Sequence, residues 1–332
     1  MRSLNRRRND CYLCRFNKSL RQSIFNRLYC ITMTAYNFLR ESNVHLVYGG
    51  SRYLLKTTPD VSFSQTFAED AYEVKTLHDQ TKMFQGTSIT KANPANFSFT
   101  VSLTTEKDET IVKSLLTEYD STGSNIKTFD LFIVTGESTF KLNECVITNG
   151  DFNLAKGSNL TLAVSGQAQK LERVGDASYS LPGSLVSASS TRTPTLSLID
   201  VEVGGSDVSN IISATLSVQN DISWTPYETL QSSLSVTNAS NAMYPSGFTL
   251  GRRVVSGNIV QYVTSNNSST VQSFNTDTTV RIKTVVNGNT FLDANLSNCM
   301  FTKRMSQGEV FTQTFDYRLI GNPANLSTVI TY

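Results

Sequence analysis

The histidines are the residues of this sequence whose chemistry could most directly support catalysis or metal binding. His45 and His78 lie 33 residues apart, which is neither a His-x3-His nor a His-Glu-x2-His spacing for a metal site. The sequence also contains no Gly-x-Ser-x-Gly nucleophile elbow and no Gly-x4-Gly-Lys-Ser/Thr phosphate loop. These patterns predict a protein that is not an enzyme and that binds no metal, nucleotide or other cofactor.

Three of the five cysteines, Cys11, Cys14 and Cys30, lie in a basic N-terminal segment, residues 1–32. The Cys11-x2-Cys14 pair has no second pair at zinc-finger spacing, and Cys30 with the distant His45 completes a four-ligand site poorly. The segment carries eight basic residues and one acidic residue, a local charge of +7. Charges also interrupt the stretch where a secretory signal has its apolar core. We expect a disordered N-terminal extension without a function; a nucleic-acid-binding arm is the alternative.

The rest of the chain has a globular composition and a slight excess of acidic residues. The whole sequence is 39% hydrophobic and 17% charged, with a mean hydropathy of −0.20, and no apolar run is long enough to span a membrane. Without the N-terminal segment, 21 basic and 26 acidic residues remain, a charge of −5 for residues 33–332. This composition favours a globular protein without a membrane partner.

Alternation of apolar and polar residues indicates β-strands along most of the body. The clearest alternating segments are Phe129–Val134, Asn159–Val164, Thr215–Val218, Thr279–Val285 and Val310–Tyr317. One helix is predicted over Asp108–Tyr119, because Ile111 and Leu115 fall on one helical face. Asp108 and Glu109 suit the N-terminus of that helix. The predicted fold class is mainly β.

Matching strings recur along the body at offsets of 151 to 155 residues, which predicts two tandem copies of one fold. They include Val61–Gln65 with Ala214–Val218, Asn96–Thr100 with Gly247–Leu250, and Cys145 with Cys299. We predict a first domain over residues 33–174, a linker rich in Gly, Ser and Pro over 175–194, and a second domain over 195–332. Because Cys145 and Cys299 occupy matching places, we expect two small buried side chains rather than a disulfide between them.

The segment Thr66–Gly86 combines large apolar side chains with charges. It is too irregular for a single strand and too long for a tight hairpin loop. Either it folds as a loop over its own apolar residues, or it is an arm that packs against a neighbouring subunit. We expect the arm, with a counterpart near Asp221–Asn241. The predicted contact residues between subunits are Phe67, Tyr72, Lys75, Leu77, His78, Met83, Phe84, Trp224 and Tyr227.

Three strings resemble the major tail tube proteins of long-tailed bacteriophages. They are Pro59–Phe67, Tyr72–His78 and Asn93–Val101. The order of strands, hairpin and helix from Met33 to Arg173 is similar to one tube domain of that family. The resemblance implies two tandem tail-tube-like β-sandwich domains, one with a flanking α-helix, whose inner sheets join between subunits into a barrel. It also implies rings stacked through the long loop, and no catalytic residues.

The resemblance further implies a structural role in the virion tail, with assembly in the host cytoplasm. Three copies of the chain would supply six tube domains, and 24 strands give a barrel with a circumference of about 150 Å and a backbone diameter of about 48 Å. We expect a polar or acidic inner wall, so that double-stranded DNA passes without base-specific contact. The other partners would be further copies of the chain, in rings and stacks, and tail proteins such as the tip and terminator proteins.

Two alternatives stay open from the sequence. A duplicated tube domain could form a single hub or initiator ring at the tail tip instead of repeated rings along the tube. Outside this class, a two-domain β-sandwich adhesin or carbohydrate-binding protein would present aromatic side chains on an exposed face. Its candidate contact is the lone tryptophan, Trp224.

Overall fold

The structure of the chain is a computed structural model. It describes residues 42–76, 79–155, 157–188, 199–224, 244–265, 274–286, 289–321 and 326–332, with side chains for all of these except 69–76, 79–90, 274–277, 286 and 289. The N-terminal segment 1–32 lies outside the described residues, as do three of the predicted contact residues, Leu77, His78 and Tyr227.

Alternating polar and apolar residues form strands over most of the described chain, which confirms a mainly β fold. The strands of the first half are β1 (Asn43–Tyr48), β2 (Ser51–Leu55), β3 (Ser62–Ser64), β4 (Phe67–Thr76), β5 (Asp79–Ala92), β6 (Ala95–Ser102), β7 (Phe129–Val134), β8 (Thr139–Ala155), β9 (Thr161–Ala168), β10 (Lys170–Gly175) and β11 (Ser184–Leu185). Those of the second half are β12 (Ile199–Val203), β13 (Ser206–Asp207), β14 (Ile211–Trp224), β15 (Phe248–Tyr262), β16 (Phe274–Val286), β17 (Asn289–Ser306), β18 (Thr312–Leu319) and β19 (Ile330–Thr331). The helix is α1 (Thr110–Thr117).

Eight strands form one continuous antiparallel sheet, named here the long sheet. Its strand order is β3, β6, β9, β8, β14, β15, β18 and β17. The pairing of β8 with β14 runs from Ala155 opposite Ser213 to Asn149 opposite Gln219, so that backbone hydrogen bonds join the first half of the chain to the second. Within the described chain, the long sheet is open, with β3 at one end and β17 at the other.

The strands β8 and β17 each belong to two sheets. The N-terminal part of β8 pairs with β7 and β10 in a first flanking sheet that also contains β1 and β2. The N-terminal part of β17 pairs with β16 and β19 in a second flanking sheet that also contains β12. Each strand passes into the long sheet at a residue with positive φ, Glu144 (φ 49) in β8 and Asn298 (φ 59) in β17. The two bends re-aim the strands in the manner of β-bulges.

Cys145 and Cys299 follow directly after these bends, and both are fully buried free thiols. The Sγ of Cys145 lies 3.4 Å from the Leu142 carbonyl oxygen, and the Sγ of Cys299 lies 3.6 Å from that of Leu296. Burial raises the pKa of both thiols, to about 11 for Cys299. The prediction of two small buried side chains without a disulfide is therefore confirmed.

The described core is one apolar cluster with side chains from the long sheet, both flanking sheets and α1. The helix lies within the predicted range Asp108–Tyr119, which confirms it. Its Leu116 packs so closely on β8 that a Cβ at Gly150 would lie 2.4 Å from Leu116 Cδ2, so a larger residue there would require Leu116 to move. Among the described residues, no helix has the length and apolar character needed to cross a membrane.

Glu109 has a different role from the one predicted for an acidic residue at a helix N-terminus. Its side chain makes no capping hydrogen bond and is instead buried. Its Oε2 accepts hydrogen bonds from the backbone N–H and the hydroxyl of Thr104, at 3.4 and 3.1 Å, and from the Tyr332 hydroxyl at 3.3 Å. This carboxylate therefore fixes the start of α1 to the last residue of the chain.

The segment Thr66–Gly86, predicted as an irregular loop or arm, is a two-stranded hairpin. Its strands β4 and β5 form a sheet of their own and pair only with each other among the described strands. The register shifts three times, after Ala68, Tyr72 and Val74. The segment is therefore two paired strands rather than one strand or a loop, and the bulges explain why alternation did not identify these strands in the sequence.

Part of the segment predicted as a linker, residues 175–194, packs on the first flanking sheet. Ser184 and Leu185 form β11, which pairs in parallel with β2. The ring of Tyr179 stacks on that of Phe132, with 6.4 Å between the ring centroids. Arg52 Nη1 donates a hydrogen bond to the Leu181 carbonyl at 2.8 Å. The Gly/Ser-rich sequence is therefore compatible with a docked strand as well as with a free linker.

Candidate functional site

The two faces of the long sheet differ in chemistry. The strand registers place one set of buried, mostly apolar residues on the first face, among them Phe97, Val164, Phe152, Leu216, Val255, Ile259 and Phe315. The alternate residues lie on the second face, named here the polar face, and include Ser62, Ser98, Ser165, Asn149, Asn153, Thr215, Ser217, Ser256, Asn258, Thr314 and Thr302. The polar face runs through both halves of the chain, with Ala163, Val254 and Val260 among its polar residues.

The polar face is accessible across the width of the long sheet. None of the residues named on it is buried. Several of its side chains bond to one another: the Oγ atoms of Ser62 and Ser98 lie 2.8 Å apart, and Ser217 Oγ donates to Asn149 Oδ1 at 3.2 Å. These short side chains form a smooth polar surface, because the lateral hydrogen bonds hold them against the sheet.

The charges on the polar face balance. The rows of the long sheet place Asp151, Asp316, Arg304 and Arg318 on this face. Arg304 binds Asp316 through two hydrogen bonds, of 2.6 and 2.9 Å. The described rows therefore form a neutral polar surface, without the cluster of Lys and Arg that binds phosphates.

The hairpin of β4 and β5 brings together several of the predicted contact residues. Its register sets Tyr72 opposite Gly86 and Val74 opposite Met83. Phe84 follows Met83 in β5, and Lys75 follows Val74 in β4. Phe67, at the start of β4, has a side chain that is 47% exposed. Their contact with another subunit stays a prediction.

Trp224, the remaining predicted contact residue, packs within the chain at the end of β14. Its Nε1 donates a hydrogen bond to Gln167 Oε1 at 2.9 Å. Its ring lies 5.5 Å from that of Phe248 on β15. The tryptophan is therefore half-buried and held by neighbouring strands, and its contact with another subunit or with a carbohydrate stays a prediction.

A set of amide side chains at the base of the hairpin was not found from the sequence. Gln65 Nε2 donates to the Asn93 carbonyl at 2.9 Å, and Gln65 Oε1 accepts from the backbone N–H of Leu171 at 2.9 Å. Gln169 Nε2 donates to the Pro245 carbonyl at 2.8 Å. These bonds fix the base of the hairpin to the end of β9 and to the second half of the chain. No spacing signal marks them, because their partners are backbone groups distant in sequence.

Arg253, also missed from the sequence, is fully buried between β15 and α1. Its Nε donates to Asn220 Oδ1 at 2.8 Å, and its Nη1 donates to the Thr117 carbonyl at 3.0 Å. Its guanidinium carbon lies 4.5 Å from the centre of the Tyr119 ring, a cation–π distance. Burial lowers the pKa of Arg253. One buried residue of the second half thus holds the C-terminal end of the helix from the first half.

Catalytic and metal-binding arrangements are not found in the described part of the chain. No three His, Cys, Asp or Glu side chains there lie close enough together to hold a metal ion. His45 lies on β1 opposite Leu54 of β2. Burial lowers the pKa of His45, and the nearby Arg52 lowers it further. An isolated neutral imidazole of this kind gives no support for acid–base chemistry.

The comparisons with known proteins agree with a structural role for the polar face. Residues 34–331 match the Bacteriophage Baseplate Tube Protein Family, whereas a comparison with curated proteins finds no match. The match supports the resemblance to phage tail and baseplate tube proteins in general, and not to the major tail tube proteins in particular. Since the match covers nearly the whole chain, the protein belongs to the bacteriophage baseplate tube protein family and is a structural component of the phage tail.

Proposed function

We propose that this protein forms the wall of a ring at the baseplate end of a phage tail tube, through which DNA passes. The observation that carries the proposal is the polar face, which extends over eight continuous antiparallel strands. Membership of a baseplate tube family favours the baseplate end, close to the hub or initiator alternative, over repeated rings along the tail. In this role the chain is an architectural subunit and not an enzyme.

The dimensions of such a ring suit a DNA duplex. Three copies of an eight-stranded sheet supply 24 strands, which at about 4.8 Å per strand and a tilt of about 40° give a backbone diameter of about 48 Å. Side chains that point inward reduce this by roughly 10 Å. A single eight-stranded barrel would instead be filled by its own side chains. The passage therefore requires several copies of the chain.

The balanced charge of the polar face suits a surface that DNA passes without being bound. Proteins bind DNA mainly by neutralising phosphates with Lys and Arg, which releases counterions. On the polar face, Arg304 is already paired with Asp316, and the surrounding side chains are mostly Ser, Thr and Asn. DNA would meet hydrogen-bonding groups but few free positive charges, and would move past them.

We also propose that residues 33–174 and 195–332 are two copies of one tube domain. In each half, a long strand leaves a flanking sheet for the long sheet at a residue with positive φ. A buried cysteine follows each bend, Cys145 in β8 and Cys299 in β17. Each half contributes four strands to the long sheet. With this duplication, three chains would form a ring with pseudo-sixfold symmetry.

The ring can be tested with the purified chain. We expect native mass spectrometry to detect a trimer and negative-stain electron microscopy to show rings with a central hole as wide as a DNA duplex. Because the open ends of the long sheet are accessible, assembly should increase with protein concentration. A protein that stays monomeric at every concentration, or that forms particles without a hole, would contradict the proposal.

The hairpin of β4 and β5 is proposed to contact a neighbouring ring or another tail protein, such as the tip protein. Replacing residues 70–88 with Asn-Gly would join the paired residues Glu69 and Ile89 through a two-residue turn. Because the hairpin forms its own sheet, we expect this variant to fold and form single rings. It should lose stacking between rings, as seen by electron microscopy. Stacks as long as those of the unmodified chain would show that the hairpin has no such role.

A further inference from the structure

The pairing of β8 with β14 is a strand-to-strand joint between the two halves of the chain, here named the internal joint. Seven residue pairs form it, from Ser213 opposite Ala155 to Gln219 opposite Asn149. On the apolar side of the joint, Phe152 lies opposite Leu216, and both side chains are fully buried. The joint therefore combines a backbone ladder with a buried apolar pair.

Among the described residues, the corresponding edge of β17 is open over Lys303–Ser306. In the described chain, Lys303–Ser306 pairs with β18 on one side only, while Thr302 and Phe301 also pair with Phe274 and Asn275 of β16. The side chain of Met305 is 61% exposed, although it lies on the same face of the sheet as the buried Phe315. An exposed edge with an apolar side chain is a site for pairing with another strand.

The opposite end of the long sheet, at β3, is open in the same way. Ser62–Ser64 pairs with β6 and with no other described strand. The side chains of Ser62 and Ser64 are exposed. Phe63, between them, points toward the apolar face and packs only partly against the core. Its ring also lies 5.7 Å from that of Phe140. Apolar side chains that are not fully buried therefore lie at both ends of the sheet.

Residues that lie opposite one another on successive strands form a row across the long sheet. These rows show which positions in the two halves correspond. In the first half, one row is Phe63, Phe97, Gly166 and Ile147. In the second half, the row on the corresponding strands is Leu216, Gly257, Tyr317 and Phe301. Phe63 therefore corresponds to Leu216. Four rows beyond Ile147 lies Phe152, and four rows beyond Phe301 lies Met305, so these two residues also correspond.

We propose that β17 of one copy of this chain pairs antiparallel with β3 of a second copy, in the register of the internal joint. Met305 then lies opposite Phe63 of the second copy, and Ser306 lies opposite its Ser62. Met305 and Phe63 bury each other as Phe152 and Leu216 do. The inference rests on the proposed function, because only a ring or a filament requires these edges to meet, and it specifies the residues of the contact.

Two basic residues, Lys303 and Arg304, lie on the open edge of β17. Basic residues on an edge disfavour pairing with an unrelated strand. Arg304 remains bonded to Asp316 on the polar face, so it leaves the edge backbone free. The joint links two different surfaces of each copy, so the interface is heterologous. Successive copies form a closed ring when the rotation from one copy to the next divides a full turn evenly.

Engineered cysteines test the register directly. In full-length chain with Cys11, Cys14 and Cys30 changed to serine, the pair Ser62→Cys and Ser306→Cys would be oxidised and analysed on a non-reducing gel. Residues directly opposite each other in antiparallel strands have Cα atoms about 4.5–5.5 Å apart, within the range that a disulfide bridges. We expect covalent dimers and trimers that disappear on reduction. The buried Cys145 and Cys299 remain in place.

The matched control pairs Ser306→Cys with Asn96→Cys. Asn96 is exposed on the polar face of β6 and lies opposite Ser64. In the proposed joint it is one strand further away and shifted by two residues, about 12 Å from Ser306. We expect at least roughly tenfold less cross-linking than in the test pair, since Cα atoms more than about 7 Å apart cannot be bridged without movement of the backbone.

The outcomes separate this inference from the proposed function. Covalent trimers from the test pair and not from the control support the joint. If electron microscopy shows rings but the test pair does not cross-link, although both thiols react with maleimide, the proposed joint is wrong and the proposed ring still stands. Equal cross-linking in test and control pairs overturns the joint as well, because it indicates random collision. A chain that remains monomeric and uncross-linked overturns both.

Discussion

Replacing Gly257 with alanine is expected to lower the free energy of unfolding by about 3 kcal/mol or more. A Cβ at this position would lie 1.9 Å from the Thr215 carbonyl oxygen and 2.3 Å from the Tyr317 hydroxyl. The hydroxyl cannot move aside freely, because it donates a hydrogen bond of 2.6 Å to the same carbonyl. The backbone of β14 or β15 must therefore shift, and with it the pairing of both strands. Urea denaturation followed by circular dichroism measures the loss.

Gly308→Ala is the matched control for this prediction. Gly308 lies between β17 and β18, and a Cβ there would have its nearest neighbour, the Val310 carbonyl oxygen, at 3.6 Å, an ordinary contact distance. We expect the free energy of unfolding to stay within about 0.5 kcal/mol of that of the unmodified chain. If the Gly257 variant were equally stable, the close approach of Tyr317 over this glycine would not be a feature of the folded protein.

The glycine and the tyrosine form an aromatic-over-glycine pair that the first half repeats in reverse. Phe97 lies opposite Gly166, and a Cβ on that glycine would be 2.3 Å from Phe97 Cζ. In the second half, the glycine lies on β15 and the aromatic residue on β18. The two arrangements fill similar space with the large and small residues exchanged between strands.

Under the proposed duplication, this exchange accounts for a strand whose position in the long sheet differs from the one that sequence matching gave it. A near-constant offset set Asn96–Thr100 opposite Gly247–Leu250, whereas the register of the long sheet gives Gly257 the row position of Phe97. Matching sequences by residue type fails where a glycine and an aromatic residue must lie opposite each other, because either strand can carry the aromatic residue. Under the same proposal, Val61–Gln65 and Ala214–Val218 occupy equivalent rows, and both strands supply an aliphatic or aromatic residue at the central position.

Local patterns in the sequence identified the strands and the helix, and non-local pairing determined the candidate site. Alternation located Phe129–Val134 with the same bounds as β7, although it did not show that Phe132, on the alternate face, is buried under Tyr179. It could not show which strands are neighbours, and therefore could not identify the two open ends at β3 and β17. Those ends depend on pairings between residues far apart in the chain, such as Ser62 with Ser98.

The buried Arg253 shows a second limit of sequence reasoning. An arginine in a strand with polar neighbours is typical of an exposed position, and Arg252 next to it is exposed. Arg253 is buried because the residues that surround it come from distant segments, Asn220 on β14 and Thr117 and Tyr119 at the end of α1. No pattern within its own strand distinguishes the two arginines.

Replacing Arg253 with alanine is expected to lower the free energy of unfolding by about 3 kcal/mol, because the change leaves a cavity and removes the donors that Asn220 Oδ1 and the Thr117 carbonyl require. The same carbonyl lies in the last turn of α1, so the helix should lose its attachment to β15. Hydrogen exchange of the α1 amides should therefore become faster in the folded protein, a local effect that a general loss of stability does not produce by itself.

Arg252→Ala provides the control for both measurements, since it removes the same kind of side chain one residue away from an exposed position. We expect a change within about 0.5 kcal/mol and unchanged exchange of the α1 amides. Equal effects of the two variants would mean that the buried contacts of Arg253 do not hold the helix. Faster exchange of α1 in the Arg253 variant alone would show that a residue of the second half fixes an element of the first, so that the two halves enter any ring as one rigid subunit.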